Sequence, residues 1–263
     1  MNARADKTIA VETADRVARV WLNRPDVHNA FNAAMIRELL EALHAAAADE
    51  SVRVLVLSGR GPSFCAGADL NWMREIIRYS YEQNLEESLA IADFHEELYA
   101  FPKPTIARVN GTAIGGGIGF LSACDIVVAS AGAKFGLSEV KIGLVPAIIS
   151  PYVVRRIGES RARQYFLTGE RIDARRAEEI GLVNVIAEPG ELDGKTDELI
   201  GLLLGSGPEA LRNAKELLRR VPGMSPEEAR IYAARLIAGL RIGPEGQEGM
   251  AAFLEKRRPK WQV

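Results

Sequence analysis

Two loops of small residues and one glutamate are the groups in this chain best placed to do chemistry. The first loop is Phe64-Cys65-Ala66-Gly67-Ala68-Asp69, and the second is Gly111-Thr112-Ala113-Ile114-Gly115-Gly116-Gly117-Ile118-Gly119. A third segment, Phe135-Gly136-Leu137-Ser138-Glu139, ends on a carboxylate. Both loops follow an apolar strand pattern and open a helix, so each can offer a backbone N–H to a shared cleft. Small side chains let an oxygen approach that backbone. A preorganised donor of this kind stabilises developing negative charge by about 3–4 kcal/mol. A carboxylate in a partly apolar cleft suits proton transfer, because desolvation raises its pKa toward neutrality.

The glycine run is not a phosphate loop. Gly117 is followed by Ile118 rather than Lys, and a dinucleotide pattern starting at Gly115 meets Phe120 where it needs glycine. Taken alone, the run reads equally well as a tight strand-to-helix turn. Other chemistry finds little support. His28, His44 and His95 are isolated, so no metal site is expected. No serine or cysteine has an evident triad partner. Cys65 and Cys124 lack CxxC spacing, and Cys65 reads as a small packing residue.

The surrounding pattern supplies elements to position these groups. Residues 8–22 read as two strands broken at Thr13-Ala14-Asp15-Arg16, with Ala18, Val20 and Leu22 on one face. Pro25 ends the second strand. Asn32 is a good N-cap for a helix over 33–48, whose apolar face carries Met35, Leu39, Leu40 and Leu43. Residues 52–58 are apolar apart from Arg53, the pattern of a strand buried on both faces. Asp69 reads as the cap of a helix over 70–79, and a longer helix is expected over 82–100. Residues 106–109 and 125–130 read as further buried strands, with Asp125 a structural residue at a strand start. This alternation implies an α/β core with parallel pairing. From residue 150 the chain reads as mainly helical, over 161–167, 174–180, 208–220 and 226–240. A break is expected at 243–246 and a last short helix at 249–255. A core over 1–200 and a helical C-terminal region over 201–263 are the expected domains.

In order and spacing, these motifs resemble the crotonase (enoyl-CoA hydratase/isomerase) family over most of the chain. Leu22-Asn23-Arg24-Pro25 with Asn29-Ala30, Pro104, Asn110-Gly111, Cys124-Asp125-Ile126, Gly143, Pro146 and Gly181-Leu182-Val183 extend the likeness. The resemblance implies an α/β fold built as a spiral of ββα units, with a helical C-terminal region that mediates trimerisation. It implies that Ala68 and Gly116 form an oxyanion hole for the thioester carbonyl of an acyl-CoA. Glu139 takes the place of the family's second catalytic glutamate. Gly119 stands where many hydratases of the family carry the first. For coenzyme A, the resemblance implies contacts at Arg24, Ala30 and Ala66, and near the C-terminus at Phe253 and Lys256. Coenzyme A is then part of the substrate, and no separate cofactor is expected. A homotrimer or homohexamer is expected.

Ala68-Asp69-Leu70-Asn71-Trp72-Met73 and the stretch from Gly143 to Val153 are similar to the bacterial methylglutaconyl-CoA hydratases of leucine breakdown. That group also tends to lack the first glutamate. The implied reaction is hydration of the C2=C3 bond of a 2-enoyl-CoA, with 3-methylglutaconyl-CoA as substrate. Arg74 and Arg78 are candidate cations for its distal carboxylate. A single-glutamate enoyl-CoA isomerase is the alternative, since one carboxylate suffices to move a double bond. A non-catalytic acyl-CoA-binding or RNA-binding member is a further one.

Composition narrows the partners. The chain has 263 residues, 48% hydrophobic and 26% charged, as in ordinary globular proteins. A net charge of −2 gives no drive toward nucleic acid or anionic lipid. The N-terminus lacks an apolar targeting stretch, and the longest apolar runs are too short to span a bilayer. A reducing, cytoplasmic setting is expected.

Overall fold

The computed structural model describes residues 7–262. It divides into two compact units: residues up to Phe101 with Thr105–Thr196, and Pro102–Pro104 with the chain from Asp197 onward.

The first unit begins with a hairpin, β1 (Ile9–Ala14) and β2 (Val17–Leu22). Asp15 and Arg16 both take positive φ, as a two-residue hairpin turn requires. Helix α1 (Ala33–Ala48) follows, and the Asn32 side chain accepts from the Met35 N–H at 3.0 Å. Three strand–strand–helix passages come next. The first is β3 (Val54–Gly59), β4 (Ser63–Cys65) and α2 (Leu70–Ile76), followed by the long α3 (Tyr81–Tyr99). The second is β5 (Thr105–Val109), β6 (Thr112–Ile114) and α4 (Gly116–Ala123). The third is β7 (Ile126–Ser130), β8 (Lys134–Gly136), a 3-10 turn at Glu139–Ile142 and helices α5 (Ser150–Ile157) and α6 (Glu159–Thr168). Strand β9 (Arg171–Asp173), α7 (Ala174–Glu179) and β10 (Val185–Ala187) close the unit.

Each pass adds one strand to a six-stranded sheet, ordered β1-β2-β3-β5-β7-β10, and one to a four-stranded sheet, ordered β4-β6-β8-β9. Pairing is parallel except at β1–β2 and β8–β9. This is the expected ββα spiral. All six residues of β3 are buried, as its apolar run requires. Helix α4 is buried from Gly117 to Ala123, so it has no polar face to offer solvent. Its Phe120 packs edge-on against Phe94 of α3, with ring centroids 5.0 Å apart. Removing such a ring costs about 3–5 kcal/mol. The short strands β4, β6 and β8 to β10 go beyond the elements expected from the sequence, and α2 stops at Ile76, short of residue 79.

The unit boundary lies at Thr196/Asp197, inside α8 (Leu192–Leu204). The second unit continues with α9 (Pro208–Arg220), α10 (Pro226–Ile242) and α11 (Pro244–Leu254). The expected break at 243–246 is confined to Gly243, which caps α11 with Pro244 in its first turn. Gly246 lies within that helix, and only glycine fits there because a Cβ would overlap the Leu240 carbonyl. Neither α9 nor α10 has a fully buried residue, and Leu218, Ile237, Ile242 and Phe253 are all exposed. Among the described residues, no helix is long and apolar enough to cross a membrane.

Candidate active site

The first loop is shaped by Phe31. Its N–H donates to the Gly67 carbonyl and its carbonyl accepts from the Asp69 N–H, both at 2.8 Å, an isolated parallel bridge centred on Ala68. The bridge uses the groups on either side of Ala68 and leaves the Ala68 N–H unpaired. Gly67 sits at φ +93°, a conformation that favours glycine. Asp69 then caps α2, accepting from the N–H groups of Asn71 (2.7 Å) and Trp72 (3.2 Å).

The second loop makes the equivalent arrangement from helix geometry. Gly115 turns the chain at φ +52° and ψ −121° and donates to the Gly136 carbonyl at 2.9 Å. Gly116 is then the first residue of α4, and its N–H has no acceptor within the helix. A Cβ at Gly116 would lie 2.5 Å from Phe31 Cε1, and one at Gly117 would lie 2.5 Å from the Cys65 carbonyl oxygen. The absence of a side chain at both positions lets the two loops approach this closely. Ala68 and Gly116 are both half-buried, open enough for a substrate oxygen. The positive end of α4 adds to their field.

Glu139 joins this group from the 3-10 turn after β8. Its Oε1 lies 3.0 Å from where a Gly115 Cβ would be. Its Oε2 is buried without a hydrogen-bond partner. Burial pushes the carboxyl pKa up, and its own backbone N–H opposes the shift. The structure thus brings Ala68, Gly116 and Glu139 together. Two unpaired donors beside a proton-accepting carboxylate can stabilise an enolate and move its proton.

Gly119 faces a different environment. A Cβ there would overlap Ile149 Cγ2 and would lie 2.5 Å from His95 Nε2. Ile149 and His95 are both buried and fill the room that a side chain at 119 needs. His95 was isolated in the sequence. Its proximity to Gly119 is a tertiary contact between α3 and α4, with no local signal.

The expected coenzyme A contacts distribute unevenly. Arg24 is committed within the protein: Nη2 pairs with Asp69 Oδ2 at 2.7 Å, and Nη1 donates to the Ala30 carbonyl. Its role in the fold is to tie the β2–α1 turn to the first loop. That pairing lowers the Asp69 pKa against the opposing pull of desolvation. Ala66 donates to the His28 carbonyl at 3.0 Å and is half-buried, whereas Ala30 is buried. Phe253 and Lys256 lie at the end of α11 in the second unit, both exposed. Asp125 is structural, as expected: its Oδ2 accepts from the Thr105 N–H (2.7 Å) and hydroxyl (2.9 Å). A groove of about 1470 Å³ is lined by Thr8, Arg24, Asp26, Arg37 and Glu38 among others. It contains neither donor nor Glu139, so chemistry rather than concavity marks the site.

Comparison with known proteins gives a consistent result. The profile of the family described as enoyl-CoA hydratase/isomerase matches residues 12–263. A Thermus thermophilus protein assigned as an enoyl-CoA hydratase is 42% identical over 245 residues, covering 93% of this chain and 97% of its own. The 2,3-dehydroadipyl-CoA hydratase of Escherichia coli is 35% identical over 256 residues, covering 97% and 98%. The crystal structure of an enoyl-CoA hydratase from Shewanella pealeana superposes with a TM-score of 0.94 at 40% identity, covering 97% of this chain and 96% of the other.

Proposed function

The chain belongs to the enoyl-CoA hydratase/isomerase family, and from there we propose that it adds water across the C2=C3 bond of a 2-enoyl-CoA, with 3-methylglutaconyl-CoA as its substrate. The observation that carries this reading is the half-buried Glu139 carboxylate, with one unpartnered oxygen, beside the free N–H groups of Ala68 and Gly116. The thioester oxygen accepts from both donors. Glu139 takes a proton from water as the water oxygen bonds to C3, and the π electrons move onto the thioester as an enolate. The enolate then collapses, and C2 takes the proton from Glu139. Water is added, and the enzyme returns unchanged. Arg24, Ala30 and Ala66 line the coenzyme A path in this reading, and Phe253 and Lys256 reach the coenzyme A bound by a neighbouring subunit.

The dicarboxylic substrate is supported by the Escherichia coli relative, whose named substrate also carries a distal carboxylate. Arg74 and Arg78 are exposed on and just after α2, where they can meet such a group. The exposed apolar residues of α9 to α11 support assembly into a trimer or hexamer. The lack of a carboxylate at Gly119 favours a second reading, a single-glutamate isomerase.

One experiment separates the two readings. The purified protein is incubated with 3-methylglutaconyl-CoA and, separately, with a 3-enoyl-CoA, and both are followed by mass spectrometry. Gain of one water on the first, abolished by Glu139→Gln, is the expected result. Double-bond migration on the second with no hydration would replace the hydratase reading with the isomerase. Unchanged hydration of 3-methylglutaconyl-CoA after Arg74→Ala and Arg78→Ala would remove their proposed role.

A further inference from the structure

His95 is a buried polar group that the proposed mechanism leaves unused. It is fully buried on α3, against Phe94, Phe120 and Tyr152. Its Nδ1 lies 2.7 Å from the Ile91 carbonyl oxygen. A carbonyl only accepts, so Nδ1 carries the ring proton and Nε2 presents a bare lone pair. That Nε2 is buried and unpartnered. Buried acceptors normally find a donor, so an orphan at a reaction centre asks for a ligand.

Position decides which ligand. Nε2 lies 2.5 Å from where a Gly119 Cβ would be, and Glu139 Oε1 lies 3.0 Å from where a Gly115 Cβ would be. Gly115 immediately precedes α4 and Gly119 lies in its second turn, so both acceptors meet the N-terminal end of the same helix. A single water can donate one hydrogen bond to each. Glu139 Oε2 is the second orphan acceptor. Two acceptors and no donor suit a molecule with two O–H groups.

We propose that His95 Nε2 is the second anchor of the attacking water, holding one of its O–H groups while Glu139 takes the proton of the other. The imidazole stays neutral and only accepts a hydrogen bond, so the proton balance of the hydration step is unchanged. Ile149 Cγ2 lies against the same point and closes it in the free protein, so this side chain must move aside as the acyl group enters. This role rests on the hydratase reading.

The test separates water addition from proton transfer. Hydration of 3-methylglutaconyl-CoA is measured beside deuterium uptake from D2O at the α-carbon of butyryl-CoA. The second reaction needs the oxyanion donors and Glu139 but no added water. His95→Phe is expected to lower hydration about 100-fold while exchange changes less than about threefold, because only the orientation of the water is lost. His95→Gln, whose amide oxygen can accept, is expected to recover part of the hydration. His95→Met is a second apolar variant in case the phenylalanine form does not fold. Hydration and exchange falling together, or hydration unchanged in a folded apolar variant, would overturn the proposal. Failure of the unaltered protein to hydrate any 2-enoyl-CoA would instead reject the hydratase reading itself, before any variant is compared.

Discussion

The first and second turns of α4 differ sharply although both are glycine-rich. At Gly115 the backbone bends through a positive φ, and the next residue, Gly116, leaves its N–H unpaired and keeps partial access to solvent. At Gly119, one turn deeper, the helix is sealed by Ile149 and His95. The same residue type serves opposite ends. Glycine in the first turn opens the backbone to a ligand. Glycine in the second lets neighbouring side chains close over it. A missing side chain therefore does not mean a vacant site, and a lost catalytic group is not restored by reinserting it.

The largest effect is expected in the open turn. Glu139→Gln should lower kcat/KM for hydration by about 1,000-fold. Because burial raises the pKa of Glu139, its charged form is disfavoured in the folded state. Its contribution to stability is fully present below the ordinary carboxylate range and is lost as pH rises through the raised value. The glutamine variant should therefore melt no lower than the parent at pH 8, which calorimetry can check. The acid limb of the parent's kcat/KM profile should lie above the usual carboxylate range.

Next in size is Gly116→Ala. The added methyl meets Phe31 Cε1 at 2.5 Å and forces the turn or the ring to move. Loss of one aligned donor should cost about 100-fold in kcat. A Phe31→Leu partner substitution that returned no activity in steady-state assays would argue against this steric account.

The closed turn should respond in stability. Gly119→Glu should lower urea-unfolding stability by about 3 kcal/mol or more through overpacking, with no gain in hydration. Combining it with Ile149→Gly should return part of the loss. A stable and faster Gly119→Glu single variant would contradict the sealed turn.

The smallest effect on stability concerns His95 alone. Burial pushes its pKa down to about 4, with the Ile91 carbonyl opposing. Tyr152 is the titratable ring stacked against it. The folded state keeps this imidazole neutral while the unfolded chain binds a proton below about pH 6.5. Stability should therefore decline as pH falls from about 6.5 through about 4, by up to about 3 kcal/mol. His95→Phe should flatten that slope in urea titrations at the two pH values.

How much of this was legible in the sequence depends on the range of each interaction. The Asn32 and Asp69 caps act within three residues, and their side-chain chemistry alone identifies them. The buried strand β3 announces itself by a continuous apolar run. The three-residue strands β4, β6 and β8 are too short to display a period, so the second sheet came only through the family likeness. The Arg24–Asp69 pair joins residues 45 positions apart, so neither carries a local mark of that pairing. Gly119 stood out by its position, but what fills its space comes from α3 and from the start of α5. Neither carries a local mark of that contact.

The backbone contact between Gly117 and the Cys65 carbonyl has an evolutionary consequence. It fixes the spacing of the charge-stabilising groups by main-chain geometry, which most substitutions leave untouched. The space one turn further along is closed by exchangeable side chains such as Ile149, where the proposed function places the acyl chain. Selection can therefore change what this protein acts on by altering one residue at a time, while the way it acts is inherited intact.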